Sequence, residues 1–499
     1  MNKKLALIPV DARPVTRELP RQLAAIGGWE VLVPEKEQLG FLKAAGKVDV
    51  LQLWLESVAT EVDGFVLSTD MIGYGGLVPS RINTESESVI LERFQVLRKL
   101  KAQYPEKKMM VFSATMRISN NYVNEEEKEY WSEYGEEIWA YSYYSHRFEK
   151  TGCEDSRVLV EELIAKIPVA ILEDYQATRQ KNFNLNMSLF ELVEEGVLDI
   201  LVFPQDDTSE YGMNIREQEK LAAEVAERSL FSKVFIYPGA DEVAGVLIAR
   251  MIYALEGVKV PLFYPMFSGE KGALSSAMYE DRPIVESVKG QIFAFGSYTV
   301  DSSAEADIVL AVNVPGKRQG DLALQKFLGE VDTPDRNIGE WILRVKHHLA
   351  KGKAVAIADV AYANGADPAL VRRLIGEIAV ADLSGFAAWN TAGNTLGTVV
   401  AQAAMVHLQR VKGEDCSARL VEQLALRFLD DYVYQAVVRQ EVRRQVDDAD
   451  PRLLEVVATS FEKHAGEFLE RVEVGVTVTD IYLPWNRTFE IGLELGKKQ

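Results

Sequence analysis

An alternation constrains this chain more than any other feature. Short apolar runs, most of them closed by a polar or Gly/Pro-containing turn, are followed by longer segments with helical spacing. Runs this short suit buried strands, and the intervening segments suit helices that cover a sheet. The runs fall at 5–10, 30–33, 64–68, 108–112, 200–203, 233–237, 260–263, 291–295, 308–312, 354–358 and 385–389. The clearest helical patterns fall at about 87–103, 215–229, 242–256, 367–377 and 395–410. Repeated strand–helix–strand units predict an α/β fold with parallel strands. Two Rossmann-like lobes are expected, residues 1–255 and 256–412, with the loop-like FSGEKGALSS near their junction. A (β/α)8-type barrel is the alternative, since the number of runs permits it. WEVLVPEKE followed by VDGFVLSTD has an echo in GQIFAFGSY followed by ADIVLAVNV, which would make the lobes a duplication. From about 418 to 472 the pattern turns to long helices, so residues 413–499 read as a C-terminal helical cap with terminal strands. The last ten residues or so, ending GKKQ, read as a ragged tail.

Charge narrows the partners. The 499 residues carry 55 Lys and Arg against 75 Asp and Glu, a net charge of −20. Nonspecific nucleic-acid binding needs a surplus of cations, and so does an anionic membrane surface; neither is expected. With 47% hydrophobic residues there is ample material for a core. Two cysteines, Cys153 and Cys416, make no disulfide framework. The start, MNKKLALIPVDARP, is too short in apolar residues for a secretory leader, so a soluble cytoplasmic protein is expected. Five histidines with no HExxH and no CxxC argue against a zinc site of the common kinds.

In parallel α/β folds ligands bind beyond the carboxyl ends of the strands. Nearly every strong run here ends in polar residues. Asp11 and Arg13 follow the first, Asp70 and Arg81 the third, and Arg117 the fourth. Asp206, Asp207 and Tyr211 come next, then Asp241 and Glu242, and later Trp389, Asn390 and Asn394. Several have a purely structural alternative. Asp11 and Thr16 suit the cap of a helix opened by Pro14; Asp241, Glu242 and Asn394 suit helix N-termini. The turn Gly73–Gly76 lacks full GxGxxG spacing and reads as a tight, close-approach turn. His146 is a lone histidine, whose ordinary role is structural.

The adjacent acids Asp206 and Asp207 are harder to explain as a cap, for which one is enough. At a strand end two neighbours point in different directions, so one can stay ionised while burial holds a proton on the other. That division suits glycoside cleavage, with Asp206 and Asp207 as catalytic acids and Asp241 and Glu242 as a second candidate pair. The Asp206-Asp207 pair resembles the neighbouring acids of O-GlcNAcase-type, substrate-assisted enzymes. Arg13, Tyr211, Trp389, Asn390 and Asn394, with Asp11, Asp70, Arg81 and Arg117, would bind a small carbohydrate. No cofactor is required by this reading. The alternatives are a divalent cation on Asp206, Asp207 and Asp241 with a phosphorylated substrate beside the arginines, or a non-catalytic binder of sugars or anions.

The series PVDARPVTRELP, STDMIGYGGLVPSR, PQDDTSEYGMN, GADEVAGVLIAR, WNTAGNTLGT and LPWNRTFEI resembles, in order and spacing, the domain of unknown function 4127 family of bacterial proteins. The resemblance implies a bacterial source and supplies no catalytic assignment. Exported, cell-envelope relatives in that family would suit a glycan substrate.

Overall fold

The computed structural model describes residues 2–497. The chain forms two compact units and passes between them three times: Met1–Ala12 and Leu32–Ala240 make the first, Arg13–Val31 and Asp241–Gln499 the second. The sequence divisions at 255 and 412 both fall inside the second unit.

Five strands lie wholly within the first unit: β1 (Lys4–Ile8), β3 (Gly64–Ser68), β4 (Lys108–Phe112), β5 (Ile200–Gln205) and β6 (Val234–Pro238). The short β2 (Glu30–Leu32) marks where the chain re-enters that unit. β1, β3, β4, β5 and β6 are neighbours in that order and all parallel, with Leu5 opposite Gly64, Gly64 opposite Lys108, Met110 opposite Ile200 and Leu201 opposite Val234. Every residue of β3 and β5 is buried, which is why these strands read as continuous apolar runs rather than alternating ones. Helices cover the sheet with apolar stripes: Val48, Leu51 and Leu55 on Val48–Val58, and Val96, Leu97 and Leu100 on Gln95–Gln103. A smaller apolar cluster around Trp131, Ile138, Tyr175 and Met116 supports the loop beyond β4.

The second unit has its own parallel sheet. β7 (Phe263–Phe267), β8 (Ile308–Asn313), β10 (Ala354–Asp359) and β12 (Gly385–Ala387) lie in the order β12-β10-β8-β7. A small parallel pair, β9 (Gly320–Asp321) and β11 (Tyr362–Ala363), stands beyond the strand ends. Behind the sheet runs Ala392–Lys412, buried over most of its length, as a helix built from Ala, Gly, Thr and Val on every side should be. The C-terminal stretch is helical: Ser417–Arg427 continues through a π-helical segment, Phe428–Val438, into Arg439–Arg443, and Leu453–Val472 follows.

The fold is therefore α/β with two open parallel sheets, and the barrel alternative falls away. Three local expectations are corrected. Residues 291–295 are not a strand but the end of the helix Ile284–Phe295, whose Ile284, Val288, Ile292 and Phe295 recur at helical spacing; the proposed internal echo loses its second half. The strand expected at 260–263 lies at Phe263–Phe267, because Pro265 is tolerated on an edge strand. The expected ragged tail is largely β14 (Gly492–Lys497), paired antiparallel with β13 (Val476–Tyr482); the end of GKKQ lies outside the described residues.

Candidate functional site

The candidate residues divide between the units. Asp11, Asp70, Arg81, Arg117, Asp206, Asp207 and Tyr211 belong to the first; Arg13, Asp241, Glu242, Trp389, Asn390 and Asn394 belong to the second.

In the first unit, parallel pairing brings the carboxyl ends of the strands to one edge. Asp11 is buried in the loop after β1. β3 runs directly into the short helix Thr69–Tyr74, capped by Ser68 Oγ, and this buries Asp70. Its Oδ2 accepts the Ala114 N–H at 3.0 Å, tying the loop after β4 to β3. Burial pushes Asp70 up to about 7. The glycine turn works as a close approach: Gly75 has φ +82°, and a Cβ there would stand 2.7 Å from Gly46 N. Gln205 closes β5, and its amide donates to Thr115 Oγ1 at 2.9 Å.

Asp206 and Asp207 follow at once and diverge. Asp207 sits in the left-handed region at φ +44°, an uncommon state for a non-glycine residue. Asp206 Oδ2 accepts from Arg81 Nη2 at 3.1 Å. Asp207 Oδ2 accepts from Ser119 Oγ at 3.2 Å and lies 3.5 Å from Arg117 Nη1. Two further acids complete the group. Glu126 Oε2 lies 3.1 Å from Arg81 Nη1 and 3.2 Å from Arg117 Nη2, and Glu127 Oε1 accepts from Arg117 Nε at 3.0 Å. Burial, with the charge of Asp207 beside it, raises Asp206 above the usual carboxylate range. Arg81 is fully enclosed, whereas Asp206, Asp207 and Arg117 keep about a fifth of their side-chain surface exposed, at 17%, 22% and 18%. His146 is structural: its Nδ1 accepts the Gly212 N–H at 3.1 Å and its ring packs edge-on against Tyr211. Burial pulls His146 below its ordinary value.

In the second unit, Arg13 makes a two-pronged pair with Asp241, at 2.6 Å and 3.1 Å, and stacks 4.5 Å from the centre of the Trp485 ring. Asn390 Nδ2 donates to the same carboxylate at 3.2 Å, and the Asp241 N–H donates to Asn394 Oδ1 at 3.1 Å. Asp241 therefore anchors a network, and the helix that follows, Val243–Glu256, has Glu242 at its cap position with no side-chain cap bond. Glu242 accepts from Gln291 Nε2 at 2.6 Å. The N-cap of Ala392–Lys412 is Thr391, which leaves Asn394 available to Asp241. Thr398 Oγ1 accepts from Trp389 Nε1 at 3.2 Å and fixes the indole.

Arg13, Trp389 and Asn390 line a small cleft. Sequence reasoning missed most of the rest of its wall, including Asn364, Asp430, Gln435, Phe489 and Glu490. Asp430 and Gln435 come from the π-helical segment, where residues five apart face each other, and Gln435 Nε2 donates to Asp430 Oδ1 at 3.1 Å. The readable signal was an acid pair, Asp430-Asp431, inside an apolar helical run. Glu126 and Glu127 were also missed, because NEEEKE looks like a solvated charge run. Among the described residues no three His, Cys, Asp or Glu side chains are grouped as a metal ion requires.

These features define a two-unit parallel α/β protein that carries a carboxylate–guanidinium cluster in one unit and a polar, aromatic-walled cleft in the other. The chain belongs to the family described as "Protein of unknown function (DUF4127)", whose model matches residues 5–494. No curated protein matches the chain. Among the described residues no helix is long and apolar enough to cross a membrane.

Proposed function

We propose that this protein is a glycoside hydrolase of a small glycan or amino sugar, with Asp206 as proton donor and Asp207 as the orienting carboxylate. The observation that carries the reading is the inequality of the two neighbours. Burial and the neighbouring Asp207 charge raise Asp206 by more than Arg117 and Arg81 beside it lower it, so it can hold a proton for a leaving oxygen. Asp207 accepts from Ser119 and faces Arg117, contacts suited to a carboxylate. In substrate-assisted cleavage the acetamido oxygen attacks the anomeric carbon while the acid protonates the departing oxygen; water then opens the ring so formed. The metal-dependent reading draws less support, since Arg81 and Arg117 already engage the carboxylate oxygens a cation would use. A non-catalytic sugar binder is the second reading, favoured by the cleft of the second unit.

The test is turnover of aryl glycosides, N-acetylhexosaminides included, by the wild type, Asp206→Asn and Asp207→Asn. General acid catalysis is worth about 10²–10⁴-fold, so Asp206→Asn should lose that much on poor leaving groups and far less on activated ones. Asp207→Asn should slow both. Activity unchanged in Asp206→Asn, or no turnover of any glycoside by the wild type, refutes the reading.

A further inference from the structure

In the first unit an enclosed guanidinium touches the very acid that is to hold a proton. Arg81 Nη2 donates to Asp206 Oδ2 at 3.1 Å, and a cation so placed favours the ionised carboxylate. A proton donor needs that pull offset. The loop after β4 carries the means, in the acidic run NEEEKE. Its Glu129 pairs with Lys43 and accepts from the Asn124 amide at 3.0 Å. Glu126 and Glu127 instead reach the arginines. Glu126 Oε2 lies between the two guanidiniums, 3.1 Å from Arg81 Nη1 and 3.2 Å from Arg117 Nη2. Glu127 Oε1 accepts from Arg117 Nε at 3.0 Å and stands 3.8 Å from Arg81 Nη1.

Charge counting over these six residues explains how Asp206 escapes the arginines. Four carboxyl groups, those of Glu126, Glu127, Asp206 and Asp207, face two guanidiniums. With a glutamate on each arginine, the two cations are already matched, and the aspartates are in surplus. Two adjacent surplus acids cannot both ionise cheaply, so one retains its proton. The groups facing Asp206 are Asp207, Arg117, Arg81 and Glu126, and the buried Asp70 feels Arg81 from the other side. Glu126 thus acts on Asp206 twice, by direct repulsion and by neutralising the cations beside it. Its side chain is 17% exposed, so its charge can be removed without opening the core.

We propose that Glu126 is the positioning residue that leaves Asp206 a proton to give, by engaging both guanidiniums that would otherwise hold its carboxylate ionised. The inference rests on the hydrolase reading for the use of that proton, not for where the proton sits. The experiment is carboxyl-carbon NMR of the full chain with isotope-labelled aspartate, followed as a function of pH. The Asp206 signal is the one lost in Asp206→Asn. In the wild type it should titrate above the ordinary aspartate range. Glu126→Gln keeps the shape and removes the charge, so the Asp206 midpoint should fall by roughly one pH unit or more. Glu126→Ala should lower it likewise, and decides if Glu126→Gln fails to fold by thermal melting. Glu129→Gln takes the same charge from the acid that pairs with Lys43, and should leave the midpoint unmoved. Three results overturn the inference: a midpoint unmoved or raised in a folded Glu126 variant, an equal fall in Glu129→Gln, or a wild-type Asp206 that titrates at or below the ordinary range. Glycoside turnover is read separately. A wild type that cleaves no glycoside but shows the expected midpoints defeats the hydrolase reading and leaves the role of Glu126 standing. Turnover with an unmoved midpoint does the reverse. In an active wild type the upper limb of the pH profile should move down with the midpoint in Glu126→Gln, which a merely structural role would not produce.

Discussion

Arg13 and Asp241 give the sharpest prediction about stability. Both side chains are nearly enclosed, at 7% and 5% exposed, and their two-pronged contact offsets part of the cost of two buried charges. In Asp241→Ala the guanidinium keeps Glu490 at 3.9 Å and the Trp485 face, but loses both short bonds, and the Asn390 amide loses its acceptor. Removing one partner of a buried pair costs about 3–5 kcal/mol, because the remaining charge stays buried. Unfolding entropy is roughly 2.1 cal/mol/K per residue, so for a unit of roughly 280 residues the melting temperature should drop by about 5–9 °C. Replacing both partners, Arg13→Met with Asp241→Leu, should recover most of that loss, since both buried charges are then gone. Scanning calorimetry at one protein concentration and one scan rate reads all three proteins. A single variant melting within about 1 °C of the wild type, or a double variant melting below the single one, would show that the pair is not what holds this network.

Two further predictions concern buried acids and turns. Burial pushes Glu280 up to about 7, against 4.5 for an ordinary glutamate, so the folded state keeps a proton that the unfolded chain releases within that window. Its stabilising contribution is full below about 4.5 and is lost as pH rises through 7, on the order of 3 kcal/mol in all. Urea unfolding of the wild type and Glu280→Gln should diverge across that window; parallel curves would contradict the assignment. Gly75→Ala should cost more than Gly257→Ala: both glycines are left-handed, but a Cβ at Gly75 meets backbone at 2.7 Å and one at Gly257 meets nothing within 4 Å. The Gly257 change should cost about 1–2 kcal/mol for the backbone alone, and equal losses in the two would remove the close-approach argument.

The sheets were legible in the sequence because strands such as Gly64–Ser68 and Ile200–Gln205 are buried on both faces and so appear as unbroken apolar runs. Gln291–Phe295 misled for the same reason, since an apolar helix end cannot be told from a strand without the residues before it. Asp70, Asp206 and Asp207 were visible as polar residues placed directly after strands, and Arg81 and Arg117 as polar residues in the segments that follow. The cleft of the second unit was mostly invisible. Its wall takes residues from 13–15, 364, 389–390, 430–435 and 489–491, and no local spacing joins these. The π-helical segment hides its own contribution: Asp430 and Gln435 are five apart, a spacing that an α-helix would turn to different faces.

The excursion of residues 13–31 into the second unit governs the order in which the molecule can be completed during synthesis. The helix Pro14–Ile26 packs against Val243–Glu256, Ala392–Lys412 and Ser417–Arg427, all encoded far downstream. Arg13 precedes its partner Asp241 by 228 positions, which at about 5–20 residues per second is an interval on the order of ten to fifty seconds. During that time the helix carrying Leu19, Leu23 and Ile26 lacks the three downstream helices it packs against, although every strand of the first unit's sheet has already been made. Completion of the second unit from the N-terminus onward therefore waits on distant sequence from the thirteenth residue, and a chain stopped after residue 240 carries an amphipathic helix without the downstream helices it packs against.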